Sequence, residues 1–297
     1  MKTDIVYYKD ASDMSEVDDN SIQLIITSPP YWNVKDYSMD GYQKNNNSGK
    51  IEGQIGDIND YEEYLNAMTE VWNECERVLK PNGKLCINTP LMPVPKKQLI
   101  THYNRHIVNI NSGIEYEILH KTKLFLYDLY IWNRTNPSKA LMFGSYPYPG
   151  NFYAQNTIEF INIFVKDGYP ELPTHDVKEE SKLTQKEWVE FTQQVWNIPI
   201  PGRDDVAYGE HPAIMPEEIV YRLVKLFSYK GDIVLDPFLG SGTTAKVTAE
   251  MDRKYVGYEI NASFKKTIDK KIGLIQKKLQ SFCSEKYYEK RAAIAIK

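Results

Sequence analysis

Residues 233–259 read IVLDPFLGSGTTAKVTAEMDRKYVGYE, and this stretch decides the fold. The apolar run 233–236 predicts a buried strand, residues 237–242 a glycine turn, and residues 243–251 a helix. Residues 255–259 predict a second strand that ends in the acid Glu259. A strand, a glycine turn, a helix and a strand with a terminal acid form a βαβ unit of the nucleotide-binding kind.

The glycine turn indicates which class of ligand the unit binds. Gly240 and Gly242 can adopt positive φ angles and let a ligand approach the backbone closely. The helix that follows offers free N–H groups, and Glu259 can accept hydrogen bonds from ribose hydroxyls. Neither GxxxxGK[ST] nor GxGxxG is present, because Ala245 and Lys246 follow the turn. The turn therefore favours a nucleoside with an amino-acid tail, of which S-adenosylmethionine (SAM) is the common one.

A second motif, Thr27-Ser28-Pro29-Pro30-Tyr31, follows the apolar run 22–26. Such a run is typical of a strand buried on both faces of a parallel sheet, and the two prolines end it. Ser28 adds a hydroxyl and Tyr31 a ring face. Together they suit a planar ring with an exocyclic amino group, whose N–H groups would donate to Ser28 and to a main-chain carbonyl.

The rest of the chain predicts a regular α/β pattern with a less regular middle. Helices are expected at 60–80, 216–227 and, as a basic tail, 264–292; strands at 4–8, 84–87 and 157–165; extended aromatic segments at 114–133; and loops at 33–58 and 139–154.

Composition narrows the class of protein further. The chain has 297 residues, 42% hydrophobic and 26% charged, which excludes a disordered chain. No apolar stretch is long enough to span a membrane, and no secretory signal is evident at residues 1–10, so a cytoplasmic protein is expected. The three cysteines form no CxxC pair, and His102 and His106 lack a third ligand, so no metal site is expected.

TSPPY ahead of DPFLGSGTT resembles the β-class DNA amino-methyltransferases, which methylate cytosine N4 or adenine N6 with SAM. In that family the catalytic tetrapeptide precedes the SAM-binding turn. Further stretches also resemble the family: Asp10, 54–56, 77–83, 132–137 and His211-Pro212.

The resemblance implies a Rossmann-like methyltransferase fold in a circularly permuted order, with a mostly parallel twisted sheet and helices on both faces. Residues 1–167 would form the catalytic part, 168–195 a small target-recognition excursion, and 196–297 the SAM-binding part with the basic C-terminal helix. The implied catalytic residues are Ser28, Pro29, Pro30 and Tyr31. The implied SAM-binding residues are Asp10, Asp236, Phe238, Gly240, Ser241, Gly242, Thr243, Thr244, Glu259 and His211.

Serine before the two prolines is typical of the cytosine-N4 members of the family, and aspartate of the adenine-N6 members. Ser28 therefore favours cytosine N4 in duplex DNA, within a restriction–modification system whose endonuclease would not be a stable partner. Adenine N6 is the alternative within the class, and a non-catalytic SAM- or DNA-binding protein is the alternative outside it. Monomer and homodimer both stay open.

The net charge of −4 hides an uneven distribution. Residues 1–63 carry 5 basic and 13 acidic groups, whereas residues 93–150 carry 7 and 3, and residues 264–297 carry 10 and 3. Because the middle segment is also rich in aromatic residues, we expect a basic aromatic strip that contacts DNA phosphates locally.

Overall fold

The computed structural model describes residues 1–32, 51–94, 106–136 and 145–281. Its strands are β1 Ile5–Tyr7, β2 Ile22–Thr27, β3 Leu79–Pro90, β4 Met92–Val94, β5 His106–Val108, β6 Leu124–Arg134, β7 Ile158–Lys166, β8 Val195–Ile198, β9 Ile233–Asp236 and β10 Lys254–Tyr258. Its α-helices are α1 Tyr61–Val78, α2 Ile110–Lys121, α3 His175–Glu180, α4 Gln185–Phe191, α5 Glu217–Phe227, α6 Thr243–Glu250 and α7 Lys265–Ser281.

Eight of these strands form one sheet in the order β1-β10-β9-β2-β3-β7-β6-β8. The first five strands in this order, which are β1, β10, β9, β2 and β3, are mutually parallel. Strand β7 is antiparallel to both β3 and β6. Strands β4 and β5 pair separately. The mostly parallel α/β sheet predicted from the sequence is therefore confirmed.

Both faces of the sheet are covered, which explains why four of the six residues of β2 are apolar. Ile22 and Ile25 belong to a core shared with α1 and α2, whereas Leu24 and Ile26 belong to a core shared with α5 and α6. The helix after β2 thus lies on one face, and the helix after the neighbouring β9 lies on the other. Such a reversal opens a crevice at the carboxyl ends of two adjacent parallel strands, where ligands bind in α/β proteins.

The segment 114–133 differs from the expectation of extended structure. Ile110–Lys121 is a helix, and the strand begins only at Leu124. The Asn109 side chain caps the helix by accepting from the N–H of Ser112 at 3.3 Å. Ile110, Ile114 and Ile118 recur every four residues and pack on the core, and this burial outweighs the lower helix propensity of isoleucine.

Two smaller expectations are refined. Helix α1 ends at Val78 rather than at residue 80, and β3 begins at Leu79 rather than at residue 84, with a register shift in its pairing with β2. Pro216 is the N-cap of α5 rather than a first-turn residue. Residues 33–50 of the expected loop, His102, and residues 282–292 of the expected tail helix lie outside the described residues.

Residues 168–195 form α3 and α4 and pack on α5. Glu187 accepts from the Tyr221 hydroxyl at 2.8 Å, Glu190 pairs with Arg222 at 2.5 Å, and Phe191 meets the Tyr221 ring edge-on. The recognition role expected for this segment stays a prediction. In the described parts of the chain, no helix combines the length and apolarity that crossing a bilayer requires.

The corrected helix α2 offers a stability test with an internal control. Ile118→Ala should lower the free energy of unfolding by about 2–4 kcal/mol, because Ile118 is fully buried. Leu119→Ala should cost less than about 1 kcal/mol, because the neighbouring Leu119 is 38% exposed. Urea unfolding followed by circular dichroism measures both. Equal losses would contradict the placement of α2 against the core.

Candidate active site

A cavity of about 420 Å³ opens at the carboxyl ends of β2 and β9. It brings together thirteen of the fourteen residues that the sequence predicted for the site. These are Asp10, Ser28, Pro29, Pro30, Tyr31, His211, Asp236, Phe238, Gly240, Ser241, Thr243, Thr244 and Glu259. Gly242 lies behind the wall, where it is the N-cap of α6 at φ 85° and a Cβ would contact Ile268.

Asp236 ends β9 and connects the elements around the cavity. One carboxylate oxygen accepts from the Thr27 hydroxyl at 2.8 Å and from the Phe238 N–H at 3.0 Å. The other accepts from the Thr244 hydroxyl at 2.7 Å. Burial raises the pKa of Asp236 to about 6, and these hydrogen bonds act in the opposite direction. Asp236 thereby ties β2, the glycine turn and α6 together.

Glu259 follows β10 and lies opposite the glycine turn. Its carboxylate accepts from the N–H groups of Gly240 and Asn261, each at 2.8 Å. Burial raises the pKa of Glu259 to about 7, since water is largely excluded from this end of the cavity. Glu259, which the sequence predicted as the acid at the end of the second strand of the βαβ unit, therefore lies against the glycine turn.

Gly240 is the position where the turn most needs glycine. Its φ is +53°, and a Cβ there would lie 3.0 Å from Nε2 of His211. His211 in turn lies edge-on to the ring of Phe264, with ring centroids 4.6 Å apart. The turn therefore presents bare backbone to the cavity, flanked by an imidazole.

A buried lysine that the sequence analysis did not single out supports the same turn from behind. Nζ of Lys271, on α7, lies 3.0 Å from Asp205 and 2.8 Å from the Thr243 hydroxyl. Lys271 is 1% exposed, and burial lowers its pKa. This contact fastens the segment that carries Asp205 and His211 to the start of α6.

The Ser-Pro-Pro-Tyr turn forms the adjoining wall. The Ser28 hydroxyl lies 2.8 Å from the Tyr31 hydroxyl and donates to the carbonyl of Asn88 at 3.2 Å. The carbonyl of Pro30 accepts from the Tyr64 hydroxyl at 2.9 Å, so α1 holds the turn in place. Ser28 lines the cavity, and its hydroxyl oxygen can accept a hydrogen bond as well as donate one.

Three further polar wall residues come from strands that the motifs do not include. Nδ2 of Asn88 donates to Glu159 at 2.6 Å, and Glu159 lies 3.5 Å from the Arg134 guanidinium. Arg134 also donates to the carbonyl of Asn156. Asn88 and Glu159 could have been noticed in the sequence as polar residues inside the apolar runs of β3 and β7.

Trp132, the weaker candidate for base stacking, borders the cavity but is 4% exposed and donates to the carbonyl of Ile198.

The chain matches a family of N6 and N4 methyltransferases, described as DNA methylase, over residues 22–270. The chain belongs to this DNA methylase family. Among its relatives, the type II methyltransferase M.MjaI of Methanocaldococcus jannaschii is 31% identical, over 92% of both chains. The type II methyltransferase M.MthZI of Methanothermobacter thermautotrophicus is also 31% identical, over 90% of this chain and 76% of its own.

Solved structures agree with the methylase fold. A DNA modification methylase of Thermus thermophilus, TTHA0409, in complex with SAM superposes with a TM-score of 0.68 and 26% identity, over 90% of this chain and 92% of its own. The cytosine-N4-specific PvuII DNA methyltransferase superposes with a TM-score of 0.62, over 90% of this chain and 85% of its own. At 17% identity, that second likeness concerns the fold alone.

The residues of the methylase cavity fit SAM. Glu259 would offer ribose hydroxyls a carboxylate at the cavity wall, and Gly240 lets the turn pass close to His211 without a side chain between them. Phe238 and Ile260 supply apolar wall for a base, and Asp10 supplies a further acceptor. The volume is within the roughly 300–1,000 Å³ range of small-molecule sites. Together with membership of the DNA methylase family, this wall identifies SAM as the cofactor of the chain.

The raised pKa of Glu259 predicts a pH-dependent cost to stability. An unfolded glutamate ionises near its ordinary pKa of 4.5, whereas the folded one ionises near 7, so stability is lost as the pH rises through this window. Glu259→Gln stays neutral throughout. The free energy of unfolding of E259Q relative to wild type should therefore rise by roughly 1–3 kcal/mol between pH 4.5 and 7.5. A difference that is constant across the window would contradict the burial of an acid here.

Proposed function

We propose that the chain transfers a methyl group from SAM to the exocyclic N4 amino group of a cytosine in duplex DNA. The observation that carries the proposal is that the Ser-Pro-Pro-Tyr turn and the glycine turn line one cavity. Thr27, next to Ser28, donates directly to Asp236 at the start of the glycine turn. An amino-binding turn and a cofactor turn are thus held side by side.

The chemistry required of the chain is chiefly positioning. SAM supplies a methyl group on a positively charged sulfur when it is bound. The amino nitrogen of cytosine is a weak nucleophile, because its lone pair is conjugated with the ring. Ser28 accepts one N–H and draws that nitrogen out of conjugation, and alignment of the reacting atoms supplies much of the rate. Transfer would break the methyl–sulfur bond, whose electron pair stays on the sulfur, and would release one N–H proton to water, directly or by way of the Ser28 hydroxyl.

The route needs no thiol. Burial raises the pKa of Cys75 and Cys86 well above their usual range, so neither supplies a thiolate at neutral pH. Both are core residues of the sheet and α1. Methylation at carbon 5, which requires an attacking cysteine, is therefore not supported by the described site.

The target base must leave the duplex to enter a closed cavity. Tyr31 is 7% exposed on the cavity wall, and we assign its ring to stacking on that base. Arg134 also lines the cavity and lies within the segment 93–150 that carries the excess basic charge. We propose that this segment and 168–195 contact the DNA, and that the enzyme is the modification half of a type II restriction–modification pair.

The product decides between the two bases. The protein should methylate unmodified plasmid DNA with tritiated SAM, and digestion to nucleosides followed by mass spectrometry should show N4-methylcytosine. N6-methyladenine as the sole product would overturn the cytosine assignment. Absence of transfer, together with retained SAM binding, would favour the non-catalytic alternative.

Variants at two serines separate chemistry from folding in that assay. Ser28→Ala should lower the transfer rate by about 100-fold, as expected for a lost contact to the reacting group. Ser15→Ala, at an exposed serine outside the cavity lining, should leave the rate unchanged. Equal activity of the two variants would remove Ser28 from the proposed mechanism.

The assignment of Glu259 to the ribose predicts how SAM affinity varies with pH. Ribose hydroxyls donate better to a carboxylate than to a neutral acid, so affinity should rise as the pH passes through about 7. Glu259→Gln should bind SAM about 10-fold more weakly at pH 8 and lose this dependence. Equilibrium dialysis with tritiated SAM measures both. A pH dependence that survives in E259Q would assign it to another group.

A further inference from the structure

Asn88 extends the polar wall beside Ser28. The pairing of Thr27 with Ile87 places Ser28 level with Asn88 on the adjacent strand, and Ser28 donates to the Asn88 carbonyl at 3.2 Å. The Asn88 side chain borders the cavity, and the residue is 4% exposed. Within the part of the chain that the structure describes, its Oδ1 is buried and has no hydrogen-bond partner.

Glu159 fixes which end of the Asn88 amide is available. The amide NH₂ donates to Oε2 of Glu159 at 2.6 Å, and Oε1 of Glu159 lies 3.5 Å from Arg134. An ionised carboxylate can only accept, so it must face the NH₂ group rather than the amide oxygen. The oxygen is therefore turned away from Glu159. Register pairs Asn88 with Ile161 and Glu159 with Pro90, so both side chains lie on one face of the sheet.

A buried acceptor without a donor is costly unless a ligand supplies one. The proposed substrate offers the complementary group, since the exocyclic amino group of cytosine has two N–H donors. We propose that Oδ1 of Asn88, in place of the main-chain carbonyl expected from the motif, accepts one of these N–H groups while Ser28 accepts the other, and that Glu159 is the positioning residue for Asn88. This inference rests on the proposed function and adds the second amino-group acceptor to it.

Arg134 completes the pairing with the base edge. A guanidinium has five N–H donors, and its contacts with Glu159 and the carbonyls of Asn156 and Thr157 use only some of them. The N3 and O2 atoms of cytosine are both acceptors. A wall that presents an acceptor at Asn88 and donors at Arg134 therefore complements the amino and carbonyl edge of cytosine.

The chain contains a matched control for Asn88. Asn162, on β7, is 2% exposed, donates through Nδ2 to Glu115 at 2.8 Å, and also has a buried Oδ1 without a partner among the described residues. It faces helix α2 and is not part of the cavity wall. An unpartnered amide oxygen alone thus does not mark a base site, and Asn88 differs from Asn162 because the residue Asn88 lines the cavity.

The test compares Asn88→Leu and Asn162→Leu on two duplexes that differ by one amino group. One duplex carries cytosine at the mapped methylation site, and the other carries 2-pyrimidinone, which lacks the amino group. Dissociation constants are measured with S-adenosylhomocysteine present, so that no turnover occurs. Wild type and N162L should prefer cytosine by the same factor, and N88L should reduce that factor about 10-fold.

The ratio of the two dissociation constants makes the outcomes decisive, because a general folding defect weakens the binding of both duplexes alike. If N88L leaves the ratio unchanged, Asn88 does not contact the amino group and the inference is overturned. Asn88→Ala provides the same comparison should N88L fail to fold.

Glu159→Gln tests the positioning role of Glu159. This variant should also lower the ratio, because the amide of the new side chain can donate as well as accept and no longer dictates the orientation of Asn88. If the mapped product is adenine, the purine analogue without the amino group replaces 2-pyrimidinone, so failure of the cytosine assignment is seen separately.

Discussion

The carboxylate of Asp236 is the interaction on which the site depends. It accepts from Thr27 at the end of β2, from Phe238 in the glycine turn and from Thr244 in the first turn of α6. Each contact joins a different element, so the two motifs cannot move apart without leaving a buried acceptor unpaired. Burial opposes ionisation of Asp236, and the three hydrogen bonds favour it. A neutral side chain of the same shape would keep the packing but weaken all three connections.

This connection also explains how two motifs about 200 residues apart can act as one site. Neighbouring parallel strands end at the same edge of a sheet, and β2 and β9 are neighbours. Their following helices lie on opposite faces, so the crevice between them is left open. Motif order along the chain is therefore of little consequence to the chemistry, because sheet order alone brings Ser28 to the cofactor turn.

Sequence patterns were sufficient where the structure is local. The 233–259 unit, the buried β2 and the two turns follow from periodicity and from the properties of glycine and proline, and thirteen predicted residues line one cavity. Helix α2 was missed because its isoleucines and tyrosine also favour strands, and only the core that receives them decides between the two. Asn88 and Glu159 were missed for a different reason. They are 71 residues apart and meet only through the antiparallel pairing of β3 with β7, which no local pattern encodes.

The structure also changes the meaning of the basic C-terminal charge. The sequence predicted a basic helix at this end of the chain, with 10 basic and 3 acidic groups in residues 264–297. Lys271 is instead buried against Asp205 and Thr243, where it supports the cofactor turn, and Lys265 pairs with Asp269 at 3.4 Å. A buried ammonium paired with a carboxylate contributes nothing to phosphate binding, and removing either partner would leave an uncompensated charge. Part of the apparent positive charge of this helix is therefore structural, and the basic side chains that line the cavity among the described residues, Lys9 and Arg134, come from other parts of the chain.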